Sequence, residues 1–237
     1  MRKIRFDGQI AWAYNHTIDF RDPTGHCILN SENDVYCLIT HSSDADLSDL
    51  VKLDGTHGQL LWNKTLLGPT SISLWNDELL VIVHFDRNDW GSFESLNAKT
   101  GDKIVDQSFD QDTTVYFAGL TRDGLIITYN SVGVLNPVSR IVASHVRTGA
   151  LKWQVPVVGT FEGSALDANE TLFFALRPNQ GQMDDFIEMH ALDAKTGDQL
   201  WNVKATPSYQ GSYASGPILL QNGTLALVYN DRLFGWA

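Results

Sequence analysis

Three aspartates, Asp44, Asp46 and Asp49, have the spacing with which loop carboxylates gather a calcium ion. An EF-hand loop counted from Asp44 needs Glu at position 55, where the chain has Gly55, so that motif fails. The seven histidines, His16, His26, His41, His57, His84, His145 and His190, show neither HxH nor HExxH spacing, and no zinc site is expected. A GxSxG elbow, a phosphate loop and a dinucleotide fingerprint are also missing. These residues predict no catalytic centre and no metal site.

The cysteines offer one covalent option. Cys27 and Cys37 flank the polar turn NSEND inside two strand-like runs, HCILN and VYCLIT. Pairing symmetric about Glu32 sets them opposite each other in an antiparallel hairpin, within reach of a disulfide. The alternative is two free buried thiols. Four Asn-x-Thr sequons, at Asn15, Asn63, Asn169 and Asn222, point with the cysteine placement to a glycoprotein of an oxidising compartment: extracellular, lumenal or periplasmic. The N-terminal MRKIRFDGQIAWAY reaches Asp7, Gly8 and Gln9 before any apolar run develops. A signal peptide is therefore absent from this chain, and a mature or truncated form is expected.

Hydrophobic residues at 43% and charged residues at 19% suffice for a sizeable core, and no stretch approaches the roughly 18 apolar residues of a membrane span. Lys plus Arg number 17 against 28 Asp plus Glu, a net charge of -11, and the basic residues are scattered. Neither a nucleic acid nor an anionic membrane surface is an expected partner.

The elements that position these residues follow from a repeat. Gly-x-x-x-Trp recurs at Gly8/Trp12, Gly58/Trp62, Gly149/Trp153 and Gly197/Trp201, with a degenerate copy at Gly101 and Val105. Successive glycines are 50, 43, 48 and 48 residues apart, the period of a four-stranded blade. The glycine supplies the positive φ of a tight turn between antiparallel strands, and the preceding Thr can satisfy a free backbone group there. The tryptophan falls in the next strand, and its ring is expected to pack over the neighbouring blade, in the same buried setting in each repeat. Polar turns at 30–34, 75–77, 121–124, 167–170 and 221–223 mark the first hairpin of each blade, and apolar runs such as ELLVIVHF and TLFFAL read as buried second strands.

The segments LDAKTGDQLW, LDGTHGQLLW and HVRTGALKW resemble the repeat of the pyrroloquinoline quinone (PQQ)-like propeller family, over essentially the whole chain. The resemblance implies an all-β propeller of four-stranded antiparallel blades as one domain over residues 1–237. The 40 residues after Gly197, with the eight up to Gly8, again make one period, so about five blades are expected, the strand GQIAWAY closing the ring beside RLFGWA. The alternative is a fragment of a seven- or eight-bladed propeller.

In such a propeller the connections between second and third strands share a face with those between blades, and that face usually binds. Here they are long and irregular, as binding loops tend to be. They carry Asp44, Asp46, Asp89, Trp90, Asp110, Asp112, Glu162, Arg177, Asp184 and Asp185 as candidate binding residues, set against the alternative of a solvated acidic rim. Quinone-dependent members hold their cofactor between a tryptophan and a disulfide of adjacent cysteines, beside calcium and an Asp base. No Cys-Cys pair occurs here. The expected function is accordingly a noncatalytic, monomeric scaffold without cofactor that docks a protein, peptide or glycan; the alternative is a fragment of a PQQ-dependent alcohol or sugar dehydrogenase using PQQ and calcium.

Overall fold

The computed structural model describes residues 2–4, 10–13, 26–40, 47–85, 91–109, 113–132, 138–177, 187–205, 217–219, 225–229 and 232–236. Every element among them is a β-strand, and all pairing within the sheets is antiparallel between strands adjacent in sequence. The chain divides into two compact units, Met1–Asp112 and Thr113–Ala237.

In the first unit β1 (Arg2–Ile4) pairs with β2 (Ile10–Ala13). A four-stranded sheet follows from β3 (Cys27–Leu29), β4 (Val35–Thr40), β5 (Leu47–Leu53) and β6 (Leu60–Leu67). The next comprises β7 (Pro69–Trp75), β8 (Leu79–Phe85), β9 (Gly91–Asn97) and β10 (Lys103–Ser108). The second unit holds a sheet of β11 (Thr113–Leu120), β12 (Leu125–Val132), β13 (Val138–His145) and β14 (Leu151–Val157). Another is made of β15 (Thr160–Leu166), β16 (Thr171–Arg177), β17 (Ile187–Asp193) and β18 (Gln199–Ala205), and among the described residues β19 (Ile218–Leu219), β20 (Leu225–Tyr229) and β21 (Arg232–Trp236) form a three-stranded sheet.

The strand order within each sheet explains its hydropathy. Second and third strands have a neighbour on both sides and are the most buried; the second strands read as apolar runs, Leu79 through Val83 of β8 all being buried, while the third strands also bury polar groups such as Asp49, Lys52 and Glu94. Fourth strands have one bonded edge and alternate, as in the exposed and covered residues of β6 and β14. In the first unit Tyr36, Leu38 and Leu50 of one sheet meet Ile72, Leu80, Ile82 and Leu96 of the next. In the second, Ile127, Tyr129, Ile141 and Trp153 meet Leu172, Phe174 and Leu192.

The turns carry the chemistry the repeat requires. Gly58, Gly101, Gly149 and Gly197 have φ of 72°, 77°, 70° and 78°, and each donates its N–H at 2.8 Å to the carbonyl four residues earlier. Thr100, Thr148 and Thr196 Oγ1 each accept the N–H two residues on, at 3.2–3.3 Å, as the Thr-Gly pattern predicts. Asn97 and Asp193 Oδ1 each accept two further N–H groups of the same turns.

Cys27 and Cys37 face each other in the β3–β4 register and form a disulfide, with Cα atoms 4.2 Å apart. Of the two expectations for these thiols, the bridged hairpin is the one realised.

Candidate functional site

Two of the candidate binding residues meet. Glu162 on β15 and Arg177 at the end of β16 form an ion pair, Arg177 Nε to Glu162 Oε1 at 2.8 Å. Arg177 stands where β16 enters the 177–185 connection, so the pair lies at the loop-bearing end of its sheet. The Glu162 side chain is largely covered while that of Arg177 is about half exposed. Burial pushes the Glu162 carboxyl above its ordinary range, and the guanidinium only partly opposes it. Asp44, Asp46, Asp89, Trp90, Asp110, Asp112, Asp184 and Asp185 lie outside the described residues, as do Gly8, Asn15 and Asn222.

Asp49, third of the calcium-like aspartates, is buried on β5 and accepts the Thr65 hydroxyl at 2.7 Å. Gly55, whose identity broke the EF-hand pattern, passes so close to the Asn33 carbonyl that a Cβ there would collide with it. Among the described residues no three His, Cys, Asp or Glu side chains gather in a way that would hold a metal ion. Asn63 and Asn169 are exposed, on β6 and in the β15–β16 turn.

The repeat tryptophans are not equivalent, contrary to the expectation of one setting in every repeat. Trp153 is 9% exposed, and a Cβ placed on Gly197 would lie 2.8 Å from its ring. Trp62 approaches Gly101 in the same manner, at 3.3 Å. Trp201 is 37% exposed and lies against Phe173 with ring centroids 5.9 Å apart. Val105, in the degenerate copy, is buried. Of Trp12 the backbone alone is described, in β2.

A second polar site has no counterpart among the candidates. In the first unit β6, β8, β9 and β10 line a cleft of about 290 Å³ with His84, Glu94, Lys103 and Asp106 among its walls. Glu94 is 3% exposed; Lys103 Nζ lies 2.9 Å from its Oε2 and 2.8 Å from Asp106 Oδ2. His84 Nε2 stands 3.3 Å from Glu94 Oε1, near enough for an ion pair but off the line of a hydrogen bond, so Oε1 is buried without one. The other ring nitrogen, Nδ1, is 2.8 Å from the Leu67 carbonyl on β6. Burial alone would raise the Glu94 carboxyl; His84 and Lys103 outweigh it and bring it down to about 2. These residues come from separate strands with no shared motif. The only sequence signal was Glu94 itself, a charge between Phe93 and Ser95 on a strand otherwise suited to burial.

The family model described as outer membrane protein assembly factor BamB (PQQ_2) matches residues 7–182 and 124–235. The chain belongs to this BamB family. Its sheets agree with the solved structures it is similar to. A quinohemoprotein alcohol dehydrogenase from Pseudomonas putida HK5 is 16% identical over 91% of the chain, with a TM-score of 0.60. BamB from Moraxella catarrhalis is 14% identical over 93% of the chain and 74% of its own length, with a TM-score of 0.51. The Dos1 propeller is 12% identical over 98% of the chain and 60% of its own, at 0.65. The chain spans 40% of the dehydrogenase's length. At these identities the likeness concerns fold: a β-propeller of four-stranded antiparallel blades, about four to five in this BamB-family chain. No curated protein sequence matches it.

Proposed function

We propose that this BamB-family chain is a noncatalytic docking scaffold of an oxidising compartment, one propeller domain whose loop-bearing end holds a protein or peptide. The observation that carries the reading is the family match over nearly the whole chain to a model described as an assembly factor. Two features of the molecule support it. The Glu162–Arg177 pair places a half-exposed guanidinium on a partly buried carboxylate at the loop end, an arrangement suited to a partner's carboxylate or backbone carbonyl. Both cysteines are used in the β3–β4 hairpin, so neither is available for the adjacent-cysteine disulfide that quinone-dependent relatives place against their cofactor. The hairpin bridge also suits an extracellular, lumenal or periplasmic location.

The test compares the two ends of one sheet. A photo-crosslinking residue is introduced at the exposed Thr160, opposite Arg177 in the β15–β16 register, or, at the opposite end, at the exposed Thr196. The scaffold reading expects one and the same protein captured from native extract through position 160 and not through 196, with capture reduced by Glu162→Gln. Equal capture from both ends overturns the loop-end docking. Dye reduction with alcohols or sugars after addition of PQQ and calcium overturns the noncatalytic role.

A further inference from the structure

We propose that His84 is a pH-operated clasp between two neighbouring blades of the first unit, closed when its ring carries both protons and released when it loses one. The geometry assigns the protons. A carbonyl only accepts, so the Nδ1 facing Leu67 O at 2.8 Å must donate. In a neutral ring with its proton on Nδ1, the other nitrogen presents a lone pair. That electron-rich nitrogen would stand 3.3 Å from the buried Glu94 Oε1, an atom that accepts no hydrogen bond, and the two would repel. A second proton on Nε2 turns this repulsion into an ion pair. The imidazolium then ties β6 of one sheet, through its backbone, to β9 of the next, through a carboxylate.

Among the described residues, the charged groups that line the cleft with His84 are Glu94 on β9, Lys103 and Asp106 on β10 and Lys64 on β6. Lys103 lies between the two carboxylates and bonds both, so it neutralises the outer side of Glu94 and leaves Oε1 to His84. When rising pH takes one of the two ring protons, the attraction is lost while the carboxylate stays ionised. The neutral ring has one N–H for two acceptors, and the buried carboxylate is the stronger, so the ring leaves Leu67 and frees the end of β6 beside the cleft that these residues line.

The experiment uses the full chain labelled with 15N and follows the two ring nitrogens of His84 by NMR from acid to alkaline pH. Amide exchange at Leu66 and Leu67 is measured in parallel and corrected for intrinsic pH dependence. The clasp predicts both nitrogens protonated on the acid side, and protection at Leu67 falling about tenfold as Nε2 deprotonates. Glu94→Gln supplies an amide that can donate to the neutral Nε2, so in that variant the ring stays in place and protection becomes independent of pH. Should Glu94→Gln fail to fold, His84→Gln is read instead; it retains one donor for the Leu67 carbonyl and must likewise abolish the pH dependence. A single-protonated ring throughout the acid range overturns the proposal, and so does a pH profile at Leu67 that either variant leaves unchanged.

Discussion

Corresponding rungs of the two units hold the same Gly-x-x-x-Trp motif in different chemistry. In the first unit the rung reads Tyr36–Lys52–Trp62 across β4, β5 and β6; in the second it reads Ile127–Ala143–Trp153 across β12, β13 and β14. Each tryptophan ring lies on the glycine of the following repeat, and each glycine turn offers an alanine carbonyl, Ala98 or Ala194. Where the rung is apolar, Trp153 Nε1 donates to Ala194 O at 3.1 Å and the ring presses close to Gly197. Where the rung is polar, the Tyr36 hydroxyl takes Ala98 O at 3.1 Å, and Trp62 Nε1 is buried with no hydrogen bond. Lys52 fills the place of Ala143, pairing with Asp34 at 2.9 Å beneath the Tyr36 ring. Burial alone would lower the Lys52 ammonium, but Asp34 and Tyr36 hold it above its ordinary value. The motif seats the ring; the cross-strand partners decide whether its N–H is used.

The largest expected effect separates the buried ring from the exposed one. Trp153→Ala should cost about 3–5 kcal/mol in chemical denaturation, through lost packing and an orphaned Ala194 carbonyl, and Trp201→Ala about 1–2 kcal/mol because its ring is partly in water already. Equal costs would break the distinction. Next in size is the disulfide, which only the first unit possesses. Reduction, or Cys27→Ser with Cys37→Ser, should cost about 2–3 kcal/mol for so short a loop, read as faster amide exchange in β3–β6 with the second unit unchanged. A smaller effect tests the N–H itself: Trp153→Phe should lose about 1–2 kcal/mol more than Trp62→Phe, since only the former gives up a hydrogen bond and strands a buried carbonyl. If the two cost the same, the polar rung does not govern the indole.

The last comparison is electrostatic and of opposite sign in the two units. Glu94 is held down to about 2, so its ionised form stabilises the first unit above its ordinary value near 4.5. That contribution is lost as pH falls from there toward 2. Glu162 is raised, so its ionised form weighs against folding of the second unit, and the penalty is relieved as pH falls through its folded value. Carboxyl titration by 13C NMR should place Glu94 below and Glu162 above ordinary glutamate, and Arg177→Ala should raise Glu162 further. A Glu162 that titrates below the ordinary value would reverse the comparison.

What could be read from residue order was local. The positive-φ glycines, the Thr hydroxyls before them, the hairpin symmetry about Glu32 and the apolar second strands each involve residues within one turn or one strand pair. Such features are set by backbone sterics and by period two, and the repeat printed them several times. Tertiary structure decided what required residues from different sheets. Nothing near Trp62 or Trp153 distinguishes them; Tyr36 and Ile127, each 26 residues upstream, do so by competing or not for a carbonyl some 40 residues downstream. Glu94 is likewise an ordinary strand glutamate until folding removes it from water and sets His84 and Lys103 beside it. A buried donor or charge must take whatever partner the packed neighbours present, and that choice is made only when the sheets come together.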